Sequence, residues 1–189
     1  MKIAATILLI LGSLYFGTGG LIYLELEKRY SDAQSEAVKN KKVSDGKSVV
    51  INNIPFNNKK IAEIAKDQFL AEAIYPYVVY IPTFLNFIIT AISFGIIGTF
   101  AKTINYCITN NTKIADVTNL LLLLIQGACI GFIILGISYA IPTILTNEEV
   151  TLKPISIVFL SLIGGIFHED FYKWLRDSVK QFKEKSKTE

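Results

Sequence analysis

Charge is scarce in this chain. Asp, Glu, Lys and Arg make up 19% of its 189 residues, against ~25% in an ordinary soluble domain. The deficit is concentrated: no charged residue occurs from Ile3 to Leu24, Ala73 to Ala101, Val117 to Asn147 or Pro154 to His168. Three of these gaps exceed the ~20 residues that a spanning helix needs. The fourth covers part of a ~30 Å hydrocarbon core at ~1.5 Å per residue. It fits by tilting, with Lys153 snorkelling at one end and His168 neutral at the other. Four buried helices of a soluble protein rarely run so far without charge.

Other absences narrow the chemistry. There are two cysteines, Cys107 in a loop and Cys129 inside the third apolar run, so a structural disulfide is not expected. No C-x-x-C or His/Cys cluster exists, so neither a metal nor any other cofactor is expected. A net charge of +3 with no aromatic-interleaved basic patch argues against nucleic acid. The runs hold no Asp, Glu, Lys or Arg at depth, where coupled transport and proton relays place them. The single histidine, His168, precedes Glu169 and Asp170 at the mouth of the last run. With no second constellation to meet it, it reads as an interfacial residue rather than a general base. No catalytic residue is expected, and the chain reads as a non-enzyme.

What remains is an all-α integral membrane protein. The pattern predicts a four-transmembrane-helix bundle with a small polar insertion between helices 1 and 2 and a C-terminal amphipathic helix. The expected spans are 1–24, 77–100, 117–141 and 152–168, with a polar section at 25–76, a loop at 101–116 and an amphipathic tail at 169–189. The first run resembles a signal peptide but is too long for an h-region, and no A-x-A-like site follows, so a retained anchor is expected. Ser13 and Gly17 form a small-xxx-small pair suited to helix contact, with Gly19 and Gly20 nearby.

The polar section is helix-permissive from Glu25 to about Asn40. It then has turn chemistry at Asp45-Gly46 and Asn57-Asn58, with β-branched Val49-Val50-Ile51 between them, which fits a short strand or an ordered loop. A helix capped by Asn57 or Asn58 should follow, with Ile61, Ile64, Ala65, Phe69, Ala73 and Ile74 on one face. Nine basic and eight acidic residues nearly cancel there. It is the natural place for a partner or ligand to be sensed.

Tyr75, Tyr77 and Tyr80 form an aromatic girdle at the start of the second span. Pro82 should kink that helix or mark its real start, and Gly98 should break it near Phe100. Asn110-Asn111-Thr112 matches the N-glycosylation sequon, a pattern common by chance. Asp116 is placed to begin the third helix and Ile141-Pro142 to end it. Gly127 and Gly131 form a G-x-x-x-G surface for close helix approach. Gln126 beside them is expected either to hydrogen-bond across that contact, a bond worth ~0.6 kcal/mol on average, or to line a pore.

The last run breaks at Gly164-Gly165 and changes character. Phe167, Phe171, Trp174, Leu175, Val179 and Phe182 then fall on one helical face, with Phe167, Phe171 and Trp174 as interface anchors, like Phe100 before them. A weak internal repeat lays Gly95–Tyr106 over Leu162–Lys173, pairing Gly98 with Gly165, Phe100 with Phe167 and Ile104 with Phe171. It suggests two related helical hairpins.

With the N-terminus inside, nine Lys and Arg lie on the inner side and ten on the outer, so the positive-inside rule gives a tie. The basic tail favours anionic inner-leaflet lipids and Glu148-Glu149 the outside, so both termini are expected in the cytoplasm. The layout resembles small multi-span components of bacterial stress or phage-defence systems, a resemblance of architecture. The expected function is that of a self-associating sensor, scaffold or effector in the cell membrane. Its expected partners are lipid, copies of itself and a soluble protein at the tail. An oligomeric pore is the first alternative and a small membrane-embedded enzyme the second.

Overall fold

The computed structural model describes residues 2–39, 49–51, 54–56, 59–110, 117–145 and 154–185. It is helical apart from one short hairpin. In order come α1 (Lys2–Lys39), β1 (Val49–Ile51), β2 (Ile54–Phe56), α2 (Lys59–Ile74), α3 (Pro76–Val79), α4 (Thr83–Thr109), α5 (Val117–Leu145), α6 (Pro154–Ile166) and α7 (His168–Lys185). Three helices are long and apolar enough to cross a membrane, over Ile3–Glu36, Thr83–Thr109 and Asn119–Ser138. A fourth is added if the bent pair α6–α7, which turns by 99°, is taken as one span.

Proline sets several of the boundaries. No proline interrupts the 38 residues of α1, which extend about 57 Å at the usual helical rise. Pro76 opens α3 and Pro154 opens α6 at the helix position where a missing N–H is harmless. Pro82 is the N-cap of α4, with φ −53° and ψ 139°. Of the two roles expected for it, the start of the helix is the one it plays. The tyrosine segment before it belongs to α3 and its flanks, not to the long helix.

Other breaks fall elsewhere than the sequence suggests. Gly98 does not break α4, which continues unbroken through Lys102 to Thr109. A lysine ends an apolar run but not a helix, and Gly98 is used for close approach to α6 (below). Pro142 does not stop α5, which runs three residues further, to Leu145. Gly164 and Gly165 still belong to α6; the bend comes at Phe167. Asp45-Gly46, Asn57-Asn58, Asp116 and Glu148-Glu149 lie outside the described residues, as does all of the sequon but Asn110.

The polar section is a helix laid on α1 and a hairpin that packs on that helix. β1 and β2 pair antiparallel, with Val49 opposite Phe56 and Ile51 opposite Ile54. α2 is rich in Ala, Glu and Lys, good helix formers, and buries Ala62, Ile64, Ala65 and Ala71. Leu26 and Ala33 of α1 meet Ile64 and Ala71. Lys60 Nζ reaches Glu36 Oε2 at 2.7 Å, and Thr18 Oγ1 donates to the Tyr75 hydroxyl at 3.2 Å beyond the other end of α2. The two helices are therefore antiparallel.

α4 is the hub of the bundle, packing on α1, α5 and α6. Gly20 of α1 faces Asn86 and Thr90 while Gly17 faces Ser93 and Ile97, so α1 runs antiparallel to α4. Gly127 and Gly131 of α5 face Gly95 and Ala91, again antiparallel. Gly98 faces Gly165 and Lys102 pairs with Glu169, so α4 and α6 are parallel. The start of α1 and the whole α6–α7 bend therefore lie at one end of the bundle, and the polar section at the other. Phe87, Ala91, Ile130, Ile134 and Val158 form the central core, and Ile96, Leu120 and Leu124 a second cluster.

Candidate functional site

The closest-built region is the crossing of α4, α5 and α6. Three glycines meet there: a Cβ on Gly127 or on Gly165 would strike the carbonyl oxygen of Gly95, and a Cβ on Gly95 would strike that of Gly127. Glycine is required because the backbones themselves touch. Thr99 fills the remaining space. Its hydroxyl lies 3.1 Å from the Gly95 carbonyl one turn back and 3.2 Å from the Gly165 carbonyl of α6. That second contact is a hydrogen bond between helices, and Thr99 is fully buried. Gly131 sits against the Ala91 carbonyl, and Gly164 against Ile130 and Ile134.

The opposite face of α4 is a polar stripe. Asn86, Thr90 and Ser93 recur at steps of four and three and are all buried, so they line one side of the helix. Small residues of α1 cover them, Gly20 on Asn86 and Thr90, Gly17 on Ser93. Thr90 satisfies its hydroxyl on the Asn86 backbone carbonyl at 2.7 Å. The Asn86 amide has neither its nitrogen nor its oxygen hydrogen-bonded. Ser13 is buried on α1 and donates to Leu9 O at 2.6 Å.

The remaining singled-out residues take separate positions. Gln126 is half-buried on α5, and no hydrogen bond joins it to another helix among the described residues. Tyr75 packs against Gly19 and stacks near Tyr15 with ring centroids 5.2 Å apart, whereas Tyr77 and Tyr80 are exposed. Phe100 packs on the cluster of Ile96, Leu120 and Leu124. Phe167 is exposed at the bend, Phe171 packs on the central core, and Trp174 is exposed 5.8 Å from the Phe171 ring.

His168 is buried at the bend, where its Nδ1 lies 3.3 Å from the Gly165 carbonyl. Its Nε2 is 3.7 Å from Glu169 Oε1, and Lys102 Nζ reaches the same oxygen at 3.2 Å. Here the histidine ties α7 to the end of α6, while Lys102 ties it to α4. Among the described residues no group of three His, Cys, Asp or Glu side chains is placed to hold a metal.

The polar stripe of α4 and Gly95 were not singled out by the sequence, although both are visible in it. Asn86, Thr90 and Ser93 follow the helical step, and Ala91, Gly95 and Thr99 are spaced by four. Comparison with protein-family models, with curated proteins and with solved structures finds no match to this chain.

Proposed function

We propose that the chain is a non-enzymatic, multi-pass membrane protein, embedded as a four-span bundle, that self-associates and couples its polar section to its amphipathic tail as a sensor or scaffold. The observation that carries this reading is that large apolar side chains cover the outside of the bundle, while small polar ones are buried within it beside the apolar core. Ile7, Leu8 and Leu11 of α1, Phe84 and Leu85 of α4, Leu122 and Phe132 of α5 and Phe159 and Leu160 of α6 face outward. Thr90, Thr99, Asn86 and Ser161 are turned fully inside. In lipid, helix contact comes from small residues and interhelical hydrogen bonds rather than from burial of large apolar ones. That is the division of labour around α4.

Coupling follows from the connections. α1 passes without a break from the apolar bundle into the polar section, so tilt or rotation at one end is carried to the other. α4 and α6 carry it onward to the bend, where α7 leaves with a polar face and an apolar face suited to lying along a bilayer surface. The glycine surface of α5 is already filled by α4, so a second copy docks on the outward apolar faces. Both termini belong on the cytoplasmic side, in keeping with the basic tail.

The native cysteines supply the test. In the Cys129→Ser variant, Cys107 near the inner end of α4 is the only thiol. After alkaline carbonate washing the protein should stay with the membrane, and Cys107 should react with an impermeant maleimide only once cells are opened. Release by carbonate would remove the membrane reading, and labelling in intact cells would reverse the orientation.

A further inference from the structure

Gln126 carries an unanswered hydrogen-bonding group into the apolar bundle. It is the only amide between Leu120 and Ser138, and it stands near the middle of the apolar segment Asn119–Ser138. It is half-buried, and no hydrogen bond joins its side chain to another described residue. The side-chain atoms sealed inside without a partner belong to Tyr15, Glu25 and Asn86, so the nitrogen and oxygen of Gln126 reach the surface. Water would satisfy them in a soluble protein. A bilayer core offers none, and leaves the desolvation of the amide uncompensated.

The face beside it has the pattern of a helix contact. Leu122, Ile125, Cys129 and Phe132 recur at steps of three, four and three, the spacing of a coiled-coil seam, and all four are exposed. Gln126 is four residues from Leu122 and three from Cys129, so it borders this stripe. Gly127 and Gly131 point the other way, into α4. Lipid chains can cover the stripe, but they neither donate to the amide nor accept from it. Its partner therefore brings a donor and an acceptor, at the same depth, set in an apolar surface. The α5 helix of a second copy meets all three conditions. Every copy inserted in one direction holds Gln126 at one depth, and a carboxamide both donates and accepts.

We propose that α5 is the self-association surface: two copies pack their stripes together about a two-fold axis along the bilayer normal, and each Gln126 hydrogen-bonds across the seam to the other copy. A lone polar residue in such a seam specifies its register and the number of helices that join. The contact is isologous, so residues near the axis meet their own counterparts, and Cys129 comes beside Cys129 of the second copy. This rests on the membrane placement and self-association proposed above and deepens them, by naming the face and the group that selects it.

Disulfide trapping in membranes tests it. In the Cys107→Ser variant Cys129 is the only thiol, and copper phenanthroline should convert most of the protein to a disulfide-linked dimer. Leu8→Cys, in a chain carrying Cys107→Ser and Cys129→Ser, puts the thiol on the exposed side of α1 and should stay unlinked. Energy transfer between copies labelled at Cys107 in the Cys129→Ser background, followed as lipid is added, gives the strength of association. Gln126→Leu should weaken it by about three- to twentyfold, the worth of one interhelical hydrogen bond. Failure of Cys129 to link in protein that is oligomeric by mass, an equally complete link in the Leu8→Cys variant, or an association unchanged by Gln126→Leu overturns the α5 contact and leaves self-association intact. One chain per nanodisc overturns both.

Discussion

Replacing glycine by alanine inside a helix raises stability by up to ~1 kcal/mol when the new methyl has room. Gly12 and Gly136 have room, since a Cβ at either would meet nothing within 4 Å. At Gly127 the same methyl would sit 2.6 Å from the Gly95 carbonyl oxygen and 2.5 Å from Thr99 Oγ1, where ordinary contact begins at 3.4 Å. α4 and α5 must part there by about 0.8 Å, the difference between the first distance and ordinary contact. Overpacking of that kind costs ~1–3 kcal/mol, partly offset by helix propensity, so Gly127→Ala should lose about 1–2 kcal/mol. At Gly165 the methyl overlaps the Gly95 carbonyl outright, and parting the helices also stretches the Thr99–Gly165 hydrogen bond. That bond adds ~0.6 kcal/mol to the loss. Gly12→Ala and Gly136→Ala should instead be neutral or stabilising. The assay is unfolding of each purified variant in mixed micelles with increasing denaturing detergent, followed by helical circular dichroism. One chemical change with two signs is the expected pattern. Equal shifts at Gly12 and Gly127 would refute the claim that the glycines act through helix approach.

Further predictions follow from single groups. Asn86→Leu removes a buried amide that has no partner and should stabilise the protein by ~1–3 kcal/mol in the same unfolding assay; a clear loss would mean the amide has a ligand. Thr99→Val deletes the hydrogen bond from α4 to α6 and should cost ~0.6 kcal/mol, up to ~1.7; a variant as stable as wild type would show that the bond is unimportant. Glu169→Gln breaks the Lys102–Glu169 pair, but Glu169 is mostly exposed, so the unfolding midpoint should move by less than ~1 kcal/mol. Trp174 is the single tryptophan. If α7 lies on the bilayer, its emission in liposomes should be quenched by lipids brominated near the headgroup, and unquenched emission would place α7 away from the surface.

How much of this was legible depends on which physical signal governs each element. Charge-free runs mark helices that are apolar on every side, so α1, α4, α5 and α6 were all visible as runs. Their ends were less visible, because a charge ends an apolar run without ending a helix. α4 passes Lys102 for that reason, whereas Pro82, with its fixed φ, marked the true start of that helix, and the start expected for the third span, residue 117, is where α5 begins. The helical steps from Phe171 to Trp174 and Leu175 marked α7, but the 99° turn before it depends on how α6 docks against α4. Gly127 and Gly131 were legible as a close-packing surface, yet G-x-x-x-G does not name its partner. That partner, Ala91 and Gly95, is written in the less familiar spacing of small residues along α4. The orphaned Asn86 amide could not be read at all. Whether a polar group finds a partner is decided by tertiary distance and not by neighbours in sequence.

The proposed function stands on a bundle that is embedded in lipid and assembles with copies of itself through its outward apolar faces. Light scattering on the protein reconstituted in nanodiscs of defined lipid, with the lipid and scaffold contributions subtracted, tests it most directly. The expected result is a single whole-number multiple of the chain mass, two or more, unchanged on dilution. One chain per disc at every loading would contradict it.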